Sequence, residues 1–371
     1  MFKKLAEDYK KAFLLIIDTK WLYGTVIFFV ICDLVTKIPA LISQQALLKM
    51  TLGNVFPYTT GVNQYMQQSL SEKIFYAIHS IHPWSVLGSI TFPALFGALG
   101  LVIVFLVFYK RIRPLRSMSF CKKVSLYSFS ILVLSVLIGI IAYFLLQNEA
   151  MIILSAVIGF ASFATLFILL LTMVESIFIS LLASLLSGES VSVELLSEHS
   201  KKFIKMLFLF NVVLYFISTN FIAQLTLLPG YLHLLIPNIV GYGSGSMLSG
   251  FISNISWFAY YFHPLFVIVF ILAPLTMAVS SYGKFVPVLQ ESTVIARRDL
   301  GYYLSLTVGT LILMFILLIL SNIINPSVLA VSRPMVVELL IAAIYSLLFT
   351  LVLLTFYVTA FRNILDSSKK A

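Results

Sequence analysis

Residues 150–187 read AMIILSAVIGFASFATLFILLLTMVESIFISLLASLLS, with Glu175 as the one charge in 38 residues. The run is rich in Leu, Ile, Phe and Ala and does not alternate between polar and apolar positions. It therefore reads as a helix and not as a strand of a membrane barrel. At 1.5 Å per residue such a helix is about 57 Å long, whereas the hydrocarbon of a bilayer is roughly 30 Å thick. One crossing leaves a long excess, expected to project beyond the inner surface and to put Glu175 near the headgroups.

The rest of the chain repeats this character. Of 371 residues, 61% are hydrophobic and 10% charged. A single soluble core cannot hide that much apolar surface, but lipid lets apolar side chains face outward. The pattern predicts an all-α polytopic membrane protein of about eight transmembrane helices, near 21–43, 85–109, 124–146, 150–174, 203–224, 256–280, 301–324 and 336–361. The net charge of +10 does not indicate nucleic acid, because the basic residues flank apolar runs. Twenty of the 24 Lys and Arg residues fall in 1–20, 110–123, 175–202 with Lys205, 281–300 and 362–371. Lys49, Lys73 and Arg333 are left for the other side. This asymmetry predicts an inner (cytoplasmic) membrane protein with both termini cytoplasmic.

Organisation follows from the same pattern. Residues 1–20 form an amphipathic N-terminal segment, 21–187 the first four spans and 188–371 the last four. In 2–20, Phe2, Leu5, Ala6, Tyr9, Phe13, Ile16 and Ile17 recur at helical spacing among Lys3, Lys4, Lys10 and Lys11. That predicts a helix in the inner interface, with a plain extension of the first span as the alternative. No clean apolar core with a cleavage site marks a signal peptide. The spans are expected in hairpins joined by cytoplasmic interfacial helices. Gln147-Asn148-Glu149-Ala150 marks an outer turn. Gly188 to Val193, Ser197 and Lys202 align with Gly283 to Val288, Ser292 and Arg297 at a constant offset of 95, which suggests an internal repeat. Cys32 and Cys121 lie at different expected depths, which disfavours a disulfide.

The second half of this echo carries a family resemblance. Pro274, Gly283, Val286-Pro287-Val288-Leu289-Gln290-Glu291-Ser292 and Arg297-Arg298 resemble the membrane-domain family found in some glycerophosphodiester phosphodiesterases. The ending Tyr357-Val358-Thr359-Ala360-Phe361-Arg362-Asn363-Ile364-Leu365 is similar to the close of those domains. The resemblance covers about 170–365 and implies a membrane domain with no established active site, so it carries over no catalytic residue. The soluble phosphodiesterase barrel is absent, since the longest loop, 44–84, is too short for one.

Candidate sites are few. Asp33 and Lys37, four apart inside the first span, can pair on one helix face and together with Glu175 form the expected intramembrane polar site. Structural pairing or outward snorkelling of Lys37 is the competing reading. Residues 225–255 contain no Lys, Arg, Asp or Glu, and Pro229, Gly241, Gly243, Ser244 and Gly245 mark a cap over a cavity or a loop in the outer interface. Tyr242 stands where an intramembrane serine protease pattern needs glycine. His79 and His82 are too few for a metal site. Asn211, Asn220 and Gln224 are expected to stitch helices together. No P-loop, zinc-protease or nucleophile-elbow motif is present.

These residues point to no cofactor, no metal and no catalytic set. The expected partners are membrane lipids, through anionic headgroups at the cytoplasmic basic clusters, and a membrane protein, with no nucleic acid. The leading function is a membrane accessory or scaffold that handles a lipid-like molecule or holds a partner. The alternative is a transporter or permease subunit, favoured by the repeat, Asp33 with Lys37, and a helix break at Pro274.

Overall fold

The computed structural model describes residues 2–27, 30, 31, 34, 113–115, 118–146, 148–216, 270–280, 283–324 and 335–368. Its helices are α1 (Phe2–Asp18), α2 (Ser119–Ile141, continued by a π turn, Ala142–Leu146), α3 (Glu149–Ser187), α4 (Val193–Phe216), α5 (Ala273–Val279), α6 (Phe285–Arg298), α7 (Leu300–Ile324) and α8 (Met335–Ser368). No strand occurs among the described residues. Four helical stretches there are long and apolar enough to cross a membrane: Ser119–Leu146, Ala150–Ser187, Leu300–Leu317 and Leu339–Asp366. They coincide with the spans expected near 124–146, 150–174, 301–324 and 336–361. The span expected at 85–109 lies outside the described residues, as do most of 21–43 and 256–280 and the end of 203–224. The chain divides into two compact units, Val107–Ser292 and Met1–Leu106 with Thr293–Ala371.

The 107–292 unit is organised by α3. Asn148 caps its start, accepting a hydrogen bond from the Met151 amide at 3.1 Å. Gly188 ends it in the left-handed region at φ 74°, with Glu189 N–H bonded back to Ser184 O. Only glycine enters that region without steric cost. Between these caps, 39 residues run as one helix. Its two halves have different surroundings.

The N-terminal half of α3 packs on α2 through small residues. On α2 the buried positions Cys121, Ser128, Ser135 and Ala142 recur every seven residues. On α3, Ser155 and Ser162 are buried and Gly159 lies between them. Small side chains let two helix backbones approach closely in a membrane, where dispersion and not water exclusion holds them. The contact is reciprocal. A Cβ on Gly139 would stand 2.9 Å from Ser155 Oγ, and one on Gly159 would stand 2.8 Å from Ser135 Oγ. Each serine hydroxyl donates to its own helix, Ser135 to Leu132 O and Ser155 to Ile152 O, both at 2.8 Å. The hydroxyls are thereby kept out of the apolar contact.

The C-terminal half of α3 is sheathed by protein. Every residue from Leu171 to Leu182 is buried, against α4 and α5 among the described helices. The first part of the excess length, to Leu182, is thus covered around its whole circumference, as a helix apolar on all sides requires. Ser192 starts α4 by accepting from the Leu195 amide at 3.1 Å. Pro274 lies in the first turn of α5, directly after a turn at Ile271 and Leu272, so the proline does mark a helix break. Phe120 of α2 meets Phe208 of α4 edge to face at 5.6 Å.

In the other unit, α1 packs on α8 and α7, and α7 on α8. The amphipathic segment is helical, and its Ala12 and Ile16 are buried. Tyr9 donates from its hydroxyl to Val352 O at 3.1 Å, in the interior of the long apolar helix α8. Protein covers this face of α1. The helical ladder continues past Asp18, with Thr19 N–H bonded to Leu15 O and Tyr23 N–H to Thr19 O. Burial pushes the Tyr9 phenol up to about 12, the neighbouring Thr310 hydroxyl working weakly the other way.

The 95-residue echo has a local counterpart. Ser197 and Ser292 are both buried, and each donates to the carbonyl three residues earlier, Glu194 O and Leu289 O. The continuations differ. α4 runs unbroken to Phe216, whereas α6 ends at Arg298 and α7 begins at Leu300.

Two outcomes test this packing. Gly159→Ala, which pushes Ser135 off its bond to Leu132 O, is expected to destabilise the chain by about 1 kcal/mol in reversible micellar unfolding. Adding Ser135→Gly to that variant restores most of the loss. For Tyr9, the folded phenol ionises later than the unfolded one. Its contribution is complete below pH 10 and disappears as pH rises from 10 to about 12. Alkaline difference spectra of wild type and Tyr9→Phe should differ by one late-titrating tyrosine.

Candidate functional site

Two features of the 107–292 unit have the chemistry of a site. The first is a polar cluster between α3 and α4. Four residues of spacing place Thr172 and Ser176 on one stripe of α3, with Glu175 beside it. Asn211 of α4 lies opposite. Its amide nitrogen donates to Glu175 Oε2 at 2.7 Å and to Thr172 Oγ1 at 3.1 Å. Thr172 in turn donates to Ile168 O at 2.7 Å. Glu175 is 7% exposed, Asn211 3% and Thr172 0%. A carboxyl group at this burial is costly unless it is hydrogen-bonded, and the Asn211 amide supplies that bond. Nearer the Gly188 end, Ser180 and Ser200 bond across the same interface at 2.9 Å. Ile204 and Leu207, both fully buried, come between these two levels along α4. The two polar contacts lie at separate levels of the interface.

Glu175 is thus buried in protein between α3 and α4. Asn211 has the stitching role its position suggested. Its particular partners were not visible in the sequence, because nothing local pairs residue 172 or 175 with residue 211. Asp33, Lys37, Pro229, Gly241, Gly243, Ser244 and Gly245 lie outside the described residues, as do His79, His82, Asn220 and Gln224. Among the described residues no group of three or more His, Cys, Asp or Glu could hold a metal ion.

The second feature is a lateral groove of about 410 Å³ between α2 and α3. Ser135, Gly139, Ser155 and Gly159 line its inside, and Phe144 and Phe160 are among its bulky walls. Its size falls within the roughly 300–1,000 Å³ of small-molecule sites, and its lining is almost wholly apolar. It is open on one side, along a helix whose Leu134, Leu137, Phe144 and Leu145 are at least half exposed. The groove was missed in the sequence. The seven-residue recurrence of Cys121, Ser128, Ser135 and Ala142 was its available signal. No Glu175-cluster residue lines it.

On the exposed start of α4, Lys201 pairs with Glu198 and holds its carboxyl below the usual carboxylate range. This is a solvated pair of little structural weight.

Comparison with known protein families, characterised proteins and solved structures gives no match to this chain. Chemistry must therefore be argued from its own residues.

Replacing Asn211 by Leu removes the donor to both Glu175 and Thr172. The expected cost is about 1–2 kcal/mol of stability in a reversible micellar unfolding assay. Glu175→Gln keeps an acceptor at Oε1 and is expected to cost less than half of that.

Proposed function

We propose that this chain is a multi-pass membrane accessory protein that holds a lipid acyl chain in the groove between α2 and α3. The observation that carries the reading is the groove itself: laterally open, apolar, of ligand size, and set in two helices able to cross a membrane. An acyl chain suits it because Ser135 and Ser155 spend their hydroxyls on their own helices and offer nothing to a polar guest. The reading includes eight spans in hairpins, both termini on the cytoplasmic side and an inner-membrane location, as the 20-to-3 basic asymmetry indicates.

A transporter is the second reading, and the buried Glu175–Asn211–Thr172 cluster is what favours it. Intramembrane carboxyl groups mark ion and proton paths. It ranks lower because the groove and the cluster are lined by different residues.

The test is lipid retention by the purified full-length protein, read by native mass spectrometry. Ala156 lines the groove, and Ala156→Phe fills it. Displacing about two methylenes at about 0.8 kcal/mol each should lower retention about tenfold at unchanged helicity. Unchanged retention would sink the groove as a lipid site. Loss of a substrate gradient in Glu175→Gln vesicles would move the assignment to transport.

A further inference from the structure

We propose that the basic end of the other unit, where α1, α7 and α8 meet, is a docking site for the headgroup of an anionic phospholipid. This site shares the membrane reading but is independent of the groove, which belongs to the 107–292 unit.

The site is built around Tyr302, near the start of α7. Its hydroxyl donates to Asp8 Oδ2 of α1 at 3.0 Å. The Lys4 ammonium stands over its ring, 5.6 Å from the centroid. Tyr303 packs edge to face on Tyr302 at 5.7 Å. Arg298 ends α6 four residues before Tyr302, and Arg362 lies in the last turns of α8, on which α1 and α7 both pack. Lys4, Arg298 and Arg362 are all exposed. Over residues 1–11, 297–299 and 362–366 seven cations stand against four carboxylates, Glu7, Asp8, Asp299 and Asp366, so this end is net positive.

The free face of α1 says what approaches that end. Lys3, Lys4, Lys10 and Lys11 are exposed along its first eleven residues. Beyond them, Phe13, Leu14 and Ile17 are 39–47% exposed. A surface that is basic and then apolar along one helix matches a phospholipid, with the phosphate on the cations and the acyl chain on the apolar continuation. The same boundary recurs on the neighbours. Arg298 precedes the exposed Leu300 and Leu304 on α7, and Arg362 ends the apolar run of α8. A soluble acidic protein would match the cations but not the apolar continuation. Asp8 is the built-in competitor, a carboxylate among the cations the phosphate would use.

The experiment places the full chain in nanodiscs of phosphatidylglycerol and phosphatidylcholine, exchanges it into neutral detergent, and counts retained lipids by native mass spectrometry. Wild type should retain phosphatidylglycerol preferentially. Each removed cation should weaken this by about fivefold, so the triple variant K4Q/R298Q/R362Q should lose about a hundredfold. A control with the same charge change in the other unit, K122Q/K123Q/K205Q, should lose far less. Asp8→Asn keeps an acceptor for Tyr302 while removing the competing charge, and should raise retention. A gain of this kind cannot come from misfolding. Equal retention of the two lipids by wild type, equal loss in the control, or no gain in Asp8→Asn would each overturn the proposal.

Discussion

The 107–292 unit depends on the close approach of α2 to the N-terminal half of α3. Two glycines and two serines interlock so that a single added methyl on either glycine meets a hydroxyl at under 3 Å. In lipid no water exclusion drives helices together, so contact distance carries the association. That contact brings the two helices together, leaves the groove beside it, and lets one helix of 39 residues pass from a partly exposed half to a protein-sheathed half.

The sheathed half follows a different rule. Four of its twelve consecutive buried residues are polar: Thr172, Glu175, Ser176 and Ser180. Asn211 and Ser200 of α4 meet this stripe at two levels. Buried polar pairs of this kind contribute little net energy, since the unpaired groups would find other partners in the membrane. Their value is specificity: a slide of one turn would part them. The first contact is thus chosen by shape and the second by hydrogen bonding, along one continuous helix.

In the other unit the chain brings its two ends together. Tyr9 and Val352, and Asp8 and Tyr302, are joined by hydrogen bonds across most of the sequence. Both links originate from consecutive residues of α1, one reaching into the apolar interior and the other towards the basic end. An amphipathic helix with a single apolar face would satisfy either protein or lipid. α1 has a buried face for α7 and α8 and a second apolar strip, Phe13, Leu14 and Ile17, left over.

Much of the architecture was legible in the residues. Apolar runs without alternation dictate helices, because only there can every backbone group find a partner without water. Asn148 and Gly188 could be read as ends of α3 for reasons of local chemistry, a side-chain acceptor and a tolerated positive φ. Glu175 stood out as the one charge in its run. What the sequence by itself determined is therefore the local and one-dimensional part: helix, length, caps and the clustering of basic residues beside apolar runs. Only tertiary structure decided that Glu175 is buried against Asn211, that the first part of the excess of α3 is sheathed, that small residues of α2 and α3 leave a groove, and that α1 docks on the last two helices. Those outcomes depend on which surfaces meet across tens to hundreds of residues. In a chain so uniformly apolar, hydropathy offers many faces of similar energy, and shape and a few hydrogen bonds choose among them.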